Sequence, residues 1–441
     1  MAPQPVKYVS TRLQRLSGLF RSKSTNNGFK KAISFKSRVV EGGTNIIARD
    51  AGRAQKLKAG LHPHGPAAFY ARNLPENFTL HHKRKKPAPA PAPAPGDSTT
   101  PGHSIDVIDA GVTYTTSVGV GQPAQEFTLL IDTGSSNTWV GAGQTYNPTS
   151  TSQNTGNQVN VSYGSGSFSG TEYNDTVTLA PDLVIPNQSV GVASTAQGFG
   201  NGIDGILGIG PVDLTTGTVS GTPSVPTVTD NLYNNGTIST ESIGISYIPT
   251  TSQNPVANGE LTFGDVDPSK FTGQIEYVPI TQTSPANHYW GIDQSITYGN
   301  STTIMAPTSG IVDTGTTLLL IASDAFQAYQ QATGATLDSA TGLLTVTQQQ
   351  YDNMQSLFFK IGNSTFELTP NAQIWPRALN GTLGGNAGTI YLVVGDLGSN
   401  SGSGLDFIDG FAFLQRFYSV YDTTNNQVGL ATTQYTNATT N

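Results

Sequence analysis

Leu130-Ile131-Asp132-Thr133-Gly134-Ser135-Ser136 recurs 181 residues later as Ile311-Val312-Asp313-Thr314-Gly315-Thr316-Thr317. One Asp-Thr-Gly is an ordinary turn, because Asp and Gly both favour turns. Two copies with matching apolar approaches need another explanation. A second pair of motifs follows downstream, Ile203-Asp204-Gly205-Ile206-Leu207-Gly208 and Phe407-Ile408-Asp409-Gly410-Phe411-Ala412. Two structurally similar halves, each presenting one Asp, explain both pairs.

The surrounding texture is that of a mostly-β protein. From about Pro101 onward, Gly/Ser/Thr turns separate short apolar runs, among them Phe127–Ile131, Ile206–Ile209, Ser242–Tyr247, Ile311–Val312 and Thr389–Val394. Helical stretches are few in this body, with Ser323–Thr333 and Thr347–Leu357 the best candidates. Charged residues are 12% of the chain and glycines number 50, which suits strands and turns better than long helices with charged faces.

The two Asp residues carry a definite chemistry. Hydrolysis without a metal or a covalent nucleophile needs an activated water, an acid to polarise the carbonyl and an acid for the leaving amine. Two adjacent carboxyl groups can do all three, because they cannot both ionise cheaply and so share one proton. Titration then belongs to the pair. Gly134 and Gly315 allow close backbone approach and offer unobstructed N–H donors. The hydroxyls of Ser135 and Thr316 are placed to orient the outer carboxylate oxygens, and Thr133 and Thr314 to tie the two loops together.

Charge divides the chain sharply. Residues 1–96 hold 18 of the 22 Lys and Arg and 3 of the 29 Asp and Glu, a net +15; the remaining 4 and 26 leave the body at -22. A basic front on an acidic body predicts that the two pair with each other. With the basic charge answered by the acidic body, no nucleic-acid partner is expected. The body keeps only four Lys/Arg and two His, His103 and His288. Little positive charge accumulates on it below about pH 4, where most carboxylates are protonated.

The front segment has its own organisation. A helix is expected near residues 48–61, followed by Lys83-Arg84-Lys85-Lys86 and a Pro-Ala alternation to Pro95. Such an alternation favours exposed polyproline II, within reach of a processing protease. Cysteine is absent, which excludes thiol nucleophiles, thiolate metal sites and disulfides. No apolar run reaches membrane-helix length, so no membrane partner is expected. Met1–Ser10 lacks an apolar signal core, whereas residues 97–441 carry eight Asn-x-Ser/Thr acceptors, at Asn160, Asn174, Asn187, Asn235, Asn300, Asn363, Asn380 and Asn437. Secretion is expected, with a signal peptide missing from the sequence; the vacuole is the alternative destination.

These motifs resemble the pepsin family of aspartic proteases, and its fungal secreted branch in particular. The resemblance runs from about Val107 to Ala431 and takes in Gly119–Phe127, Tyr163-Gly164-Ser165-Gly166-Ser167, Asp204–Gly210 and Phe413–Asp422. It implies a bilobal fold with a propeptide and linker at 1–100, an N-terminal lobe at 101–277 and a C-terminal lobe at 278–441. It implies a monomeric aspartic endopeptidase without cofactor or metal, acting on extended polypeptide, with Asp132 and Asp313 as the catalytic pair. Tyr163 matches the tip of a flap hairpin, Trp139 the tryptophan whose indole N–H supports that tyrosine, and Gly164 and Ser165 the flap positions that bind substrate backbone. The basic front segment matches a propeptide that covers the cleft.

Several positions depart from the family pattern. Thr138 stands where Leu is usual, and Asp409-Gly410-Phe411 stands where Leu-Gly-Asp is usual. The usual disulfides are absent. No clear counterpart of the propeptide lysine that pairs with the dyad is found; Lys56 and Lys58 are the candidates. Some proteins of this fold have lost catalysis and serve as inhibitors or storage proteins, but they commonly lose a dyad Asp, the flap Tyr or the propeptide, and all three are retained here. Other chemistries fit worse. Gly119-x-Gly121-x-x-Ala124 leads into a strand and not a helix, so a dinucleotide site fails. Asp265 and Asp267 lack the spacing and terminal Glu of a calcium loop. Two histidines in the body leave little scope for a Ser-His triad or zinc.

Overall fold

The computed structural model describes residues 31–33, 35–37, 46–59, 106–109, 114–164, 166–199, 202–252 and 256–440. The tetrabasic cluster, the Pro-Ala run, His103 and Ser165 lie outside these residues. Strands dominate the described residues and form a 15-stranded sheet, a seven-stranded sheet and a three-stranded sheet.

The repeat seen in sequence becomes a repeat of strand pairing. The strand Gln125–Asp132 runs into the first Asp and pairs in parallel with Gly205–Gly208, Ile131 opposite Leu207 and Asp132 opposite Gly208. The strand Thr302–Val312 runs into the second and pairs in parallel with Phe407–Asp409, Ile311 opposite Ile408 and Val312 opposite Asp409. Each partner strand then pairs antiparallel with the short strand that follows its Asp loop. Gly205–Gly208 takes Trp139–Val140, and Phe407–Asp409 takes Leu319–Ile321. Those short strands are flanked in turn by parallel neighbours, Leu183–Gln197 and Val394–Asp396. The second motif pair is therefore the floor on which each Asp loop rests.

Period-2 burial explains why these segments are strands. Gly166–Ala180 alternates buried and half-buried residues along most of its length, as a strand with one core face must. Ile131 and Val312 at the ends of the two Asp strands are each 1% exposed and belong to one core cluster that extends through both large sheets. Each Asp loop is thereby anchored at its first residue by core packing.

Ser242–Tyr247 and Ser323–Thr333 fall where the sequence places them. The helix stops at Gly334, whose φ of 66° is the left-handed conformation of a C-terminal cap. Two expectations need correction. The helix expected over Thr347–Leu357 spans only Gln348–Asp352, capped by a Thr347/Gln350 capping box, and the chain enters the strand Leu357–Ile361. There the apolar Leu-Phe-Phe run packs into the sheet, which overrides its helical spacing. The strand expected over Thr389–Val394 is two, Ile390–Tyr391 and Val394–Asp396, in different sheets.

The front segment joins the body. Lys31–Ile33 pairs with Val256–Phe263, and Phe35–Ser37 with Tyr114–Val120. The helix α1, Ile46–Lys58, buries Ile46, Asp50, Arg53, Ala54 and Leu57. This spacing of four, three, one and three residues is one face of an α-helix. Its apolar members pack in a cluster with Ala286, Tyr289, Leu397 and Leu405.

Candidate active site

Asp132 and Asp313 come together at the junction of the two Asp loops, each fully buried. The loops hold each other reciprocally. The Thr133 N–H donates to Thr314 Oγ1 at 3.0 Å, and the Thr314 N–H donates to Thr133 Oγ1 at 2.9 Å. Each carboxylate receives the same donors. Asp132 accepts from the Gly134 N–H at 2.9 Å and the Ser135 hydroxyl at 2.6 Å. Asp313 accepts from the Gly315 N–H at 3.0 Å and the Thr316 hydroxyl at 2.6 Å. Gly134, Ser135, Gly315 and Thr316 therefore donate directly to the carboxylates, whereas Thr133 and Thr314 bind the two loops to each other.

The two glycines are required by space. A Cβ on Gly134 would stand 2.6 Å from Asp313 Oδ1, and one on Gly315 would stand 2.5 Å from Asp132 Oδ1. Each glycine faces the carboxylate of the opposite loop. Any side chain would wedge the two carboxyl groups apart.

Above the dyad, Tyr163 ends the strand Gln153–Tyr163 and pairs with Gly166 at the start of the returning strand. This is a hairpin with Gly164 at its tip. The Trp139 indole N–H donates to Tyr163 Oη at 2.9 Å. Trp139 is fixed in turn by Phe168, stacked at 4.2 Å between ring centroids, and by Phe199, edge-on at 4.9 Å. Burial, then the negative charge of Asp132, push the Tyr163 phenol far above its ordinary range, so it stays a neutral hydroxyl. Thr138, the departure beside Trp139, is buried.

One residue in the site was not read from sequence. Arg53 of α1 inserts its guanidinium between the two carboxylates. Its Nη2 donates to Asp132 Oδ1 at 2.5 Å and to Asp313 Oδ1 at 2.9 Å. Its Nε donates to Asp313 Oδ2 at 2.7 Å, and its Nη1 reaches Asp132 Oδ2 at 3.3 Å. Lys56 and Lys58, the candidates from sequence, are not at the dyad; Lys58 donates to the Ser399 hydroxyl. The planar fork of arginine matches two facing carboxylates in a way one ammonium cannot. The legible signal was the helical phase, since Arg53 lies on the same face as Ile46, Asp50 and Leu57.

α1 is held along its length. Asp50 Oδ2 accepts from the N–H groups of Thr317 and Leu318 at 2.9 and 2.8 Å, just past the second Asp loop. Arg49 donates to the Thr317 hydroxyl. The Tyr289 hydroxyl donates to Leu57 O at 3.0 Å, and Gln55 donates to Leu397 O at 3.2 Å. The flap closes on the other side, where a Cβ on Gly52 would stand 3.0 Å from Gly164 O.

The electrostatics follow from this packing. Burial raises the Asp313 carboxyl, but the Arg53 charge and the hydrogen bonds from Arg53, Thr316 and Gly315 outweigh it and hold it below the usual carboxylate range. Arg53, although buried, is kept charged by the two carboxylates. Behind the second Asp loop lies a further acid. Asp409 accepts one hydrogen bond, from Gln294 Nε2 at 3.1 Å, its Oδ2 has no partner among the described residues, and burial pushes its carboxyl up to about 8. Its carbonyl oxygen accepts from the Asp313 N–H at 3.2 Å. Among the described residues no three His, Asp or Glu side chains gather as a metal-binding group.

The comparisons agree with this geometry. Residues 113–433 match the family model for eukaryotic aspartyl protease. The chain is 62% identical to polyporopepsin from Irpex lacteus over 340 residues, which covers 77% of this chain and 99% of that protein. It is 31% identical to pepsin A from Suncus murinus, over 72% of this chain and 80% of that one. The crystal structure of the aspartic proteinase from Irpex lacteus superposes with a TM-score of 0.75 at 63% identity, covering 77% of this chain and 99% of that chain. By family model, relative and solved structure alike, the chain belongs to the eukaryotic aspartyl protease family as a pepsin-like aspartic endopeptidase acting on polypeptides.

Proposed function

We propose that this chain is the zymogen of a secreted endopeptidase that works in acid, with Asp132 and Asp313 as its catalytic pair and α1 as its inhibitor. The observation that carries this reading is Arg53, whose guanidinium occupies the space between both carboxylates. While α1 is docked, neither a water nor a scissile carbonyl has room there. The N-terminal lobe, 101–277, supplies Asp132 and the flap; the C-terminal lobe, 278–441, supplies Asp313; and residues 1–100 form the propeptide and linker.

In the released enzyme the pair shares one proton. The ionised carboxyl takes a proton from water, and the water oxygen bonds to the scissile carbonyl carbon. The protonated carboxyl donates to the carbonyl oxygen. The tetrahedral intermediate then collapses, the C–N bond breaks, and the amine leaves with a proton from the pair. The hydroxyls of Ser135 and Thr316 and the N–H groups of Gly134 and Gly315 keep both carboxyls oriented throughout. Tyr163 and the Gly164–Ser165 tip close over an extended polypeptide. The enzyme acts as a monomer and uses no cofactor.

Acid releases α1 through the dyad. Asp313 is held below its free value in the docked state, so its contribution to docking is complete above about pH 4 and is lost as pH falls through its lowered value. Arg53 keeps its charge throughout. Asp50 has the opposite sign: burial pushes its carboxyl up, so its contribution favours docking in acid and cannot drive release. The +15 front and -22 body add a long-range attraction that fades as the body's carboxylates protonate.

Proteolysis of denatured haemoglobin at pH 3–5 tests the reading. Acid-treated protein is expected to cleave it, and both pepstatin and Asp313→Asn are expected to abolish cleavage. Correctly processed, folded protein without activity would return the chain to the non-catalytic binding proteins of this fold.

A further inference from the structure

The eight Asn-x-Ser/Thr acceptors of the body are not equivalent in the fold. Asn235, Asn300 and Asn363 are exposed, and each sits in a tight turn beside a glycine with positive φ: Gly236 at 69°, Gly299 at 59° and Gly362 at 56°. Asn235 ends the helix Val228–Asn234. Asn300 lies in the turn between Gly291–Tyr298 and Thr302–Val312, and Asn363 in the turn between Leu357–Ile361 and Ser364–Leu368. All three triplets end in Thr, and Thr302 and Thr365 are themselves exposed.

Asn380 is the opposite case. It is 2% exposed, and its Nδ2 donates to Asn386 O and Thr389 O, both at 2.9 Å. Asn160 and Asn174 lie half-buried within paired strands. Asn187 is exposed, but the hydroxyl of its Ser189 is buried and donates to Glu172 Oε1 at 2.5 Å.

We propose that Asn235, Asn300 and Asn363 are N-glycosylation sites and that Asn380 remains bare. The donor is a lipid-pyrophosphate-linked oligosaccharide. The Asn Nδ2 forms a bond to the anomeric carbon and loses one proton, while the bond from that carbon to the pyrophosphate breaks and the lipid pyrophosphate leaves with the electron pair. The product amide keeps a single N–H. At the three turn positions the sugar extends into water and no packing is disturbed. At Asn380 one of two hydrogen bonds would be lost, and a bulky polar group would be forced into a buried position.

The inference rests on the secretory route proposed above, and the test separates the two. The full chain is expressed in yeast behind a host secretion leader, so translocation does not depend on the protein's own signal. Secreted folded protein is treated with endoglycosidase H, and the Asn that retain one N-acetylglucosamine are mapped by peptide mass spectrometry. Retained sugar on Asn235, Asn300 and Asn363, with Asn380 unmodified, is the expected pattern. Sugar on Asn380 in folded protein, or most molecules bare at any of the three turns, overturns it. The natural route is read separately, from whether the natural producer releases the protein into its medium.

Discussion

Thr133 and Thr314 exchange hydrogen bonds symmetrically, each backbone N–H reaching the other's hydroxyl oxygen across the junction of the two Asp loops. Both residues are buried, so no water replaces a lost partner. Thr133→Val removes one acceptor at nearly constant volume and orphans the Thr314 N–H. The expected cost is about 1–3 kcal/mol, read as a lower midpoint in urea unfolding, with a parallel loss of kcat as the carboxyls lose their register.

Arg53→Gln removes the charge that compensates two buried carboxylates. Breaking such a pair costs about 3–5 kcal/mol, so α1 is expected to undock at neutral pH. The variant should bind pepstatin near pH 6 without prior acid treatment, and α1 should become sensitive to added protease. Arg53→Lys should fall between the two, since one ammonium cannot form both sets of bonds. Pepstatin binding equal to that of the parent at pH 6 would exclude Arg53 as the inhibitory residue.

Asp409→Asn separates the stability of the body from the chemistry of the dyad. Asp409 is pushed up to about 8 from an ordinary value of 3.8, so the folded state holds its proton where the unfolded chain releases it. Its contribution to stability is complete below about pH 4 and is lost progressively as pH rises to about 8. In an Asp132→Asn background, which prevents self-cleavage, the thermal midpoint should fall across this window. The fall should be shallower with Asn at 409.

Tyr163→Phe deletes the acceptor of the Trp139 indole N–H but keeps the ring that packs beside Phe199. The flap loses its tie and not its bulk. Steady-state kinetics on a peptide substrate should show kcat/KM lower by about tenfold to a hundredfold, while the unfolding midpoint of the body moves little.

The aspartate half of this site was legible because its determinants are local. A turn motif, its glycine and its hydroxyl neighbour are adjacent in the chain, and duplication marked them as a pair: Asp132 with Ser135, Asp313 with Thr316. The flap was legible for the same reason, as Tyr163-Gly164 between two alternating strands. Periodicity misled where it was short, at Thr347–Leu357, because a short apolar run such as Leu357-Phe358-Phe359 fits a buried strand as well as a helix.

Composition and motif alone determined that this is a mostly-β, duplicated protein with two aspartates in matched loops and a basic segment ahead of an acidic body. Tertiary structure decided which basic residue answers the aspartates. Arg53 is 79 residues from Asp132 and 260 from Asp313; the helical phase puts it on the buried face of α1, but nothing local in the sequence says that this face meets the aspartates. Its selection comes from how α1 docks on the body, held by Asp50 on the N–H groups of Thr317 and Leu318 and by the Leu57 carbonyl on the Tyr289 hydroxyl. Asp409 became a neutral acid in the same way, through burial by strands distant in the chain. Charge pairing and desolvation act through space, so they appear only once the chain has folded.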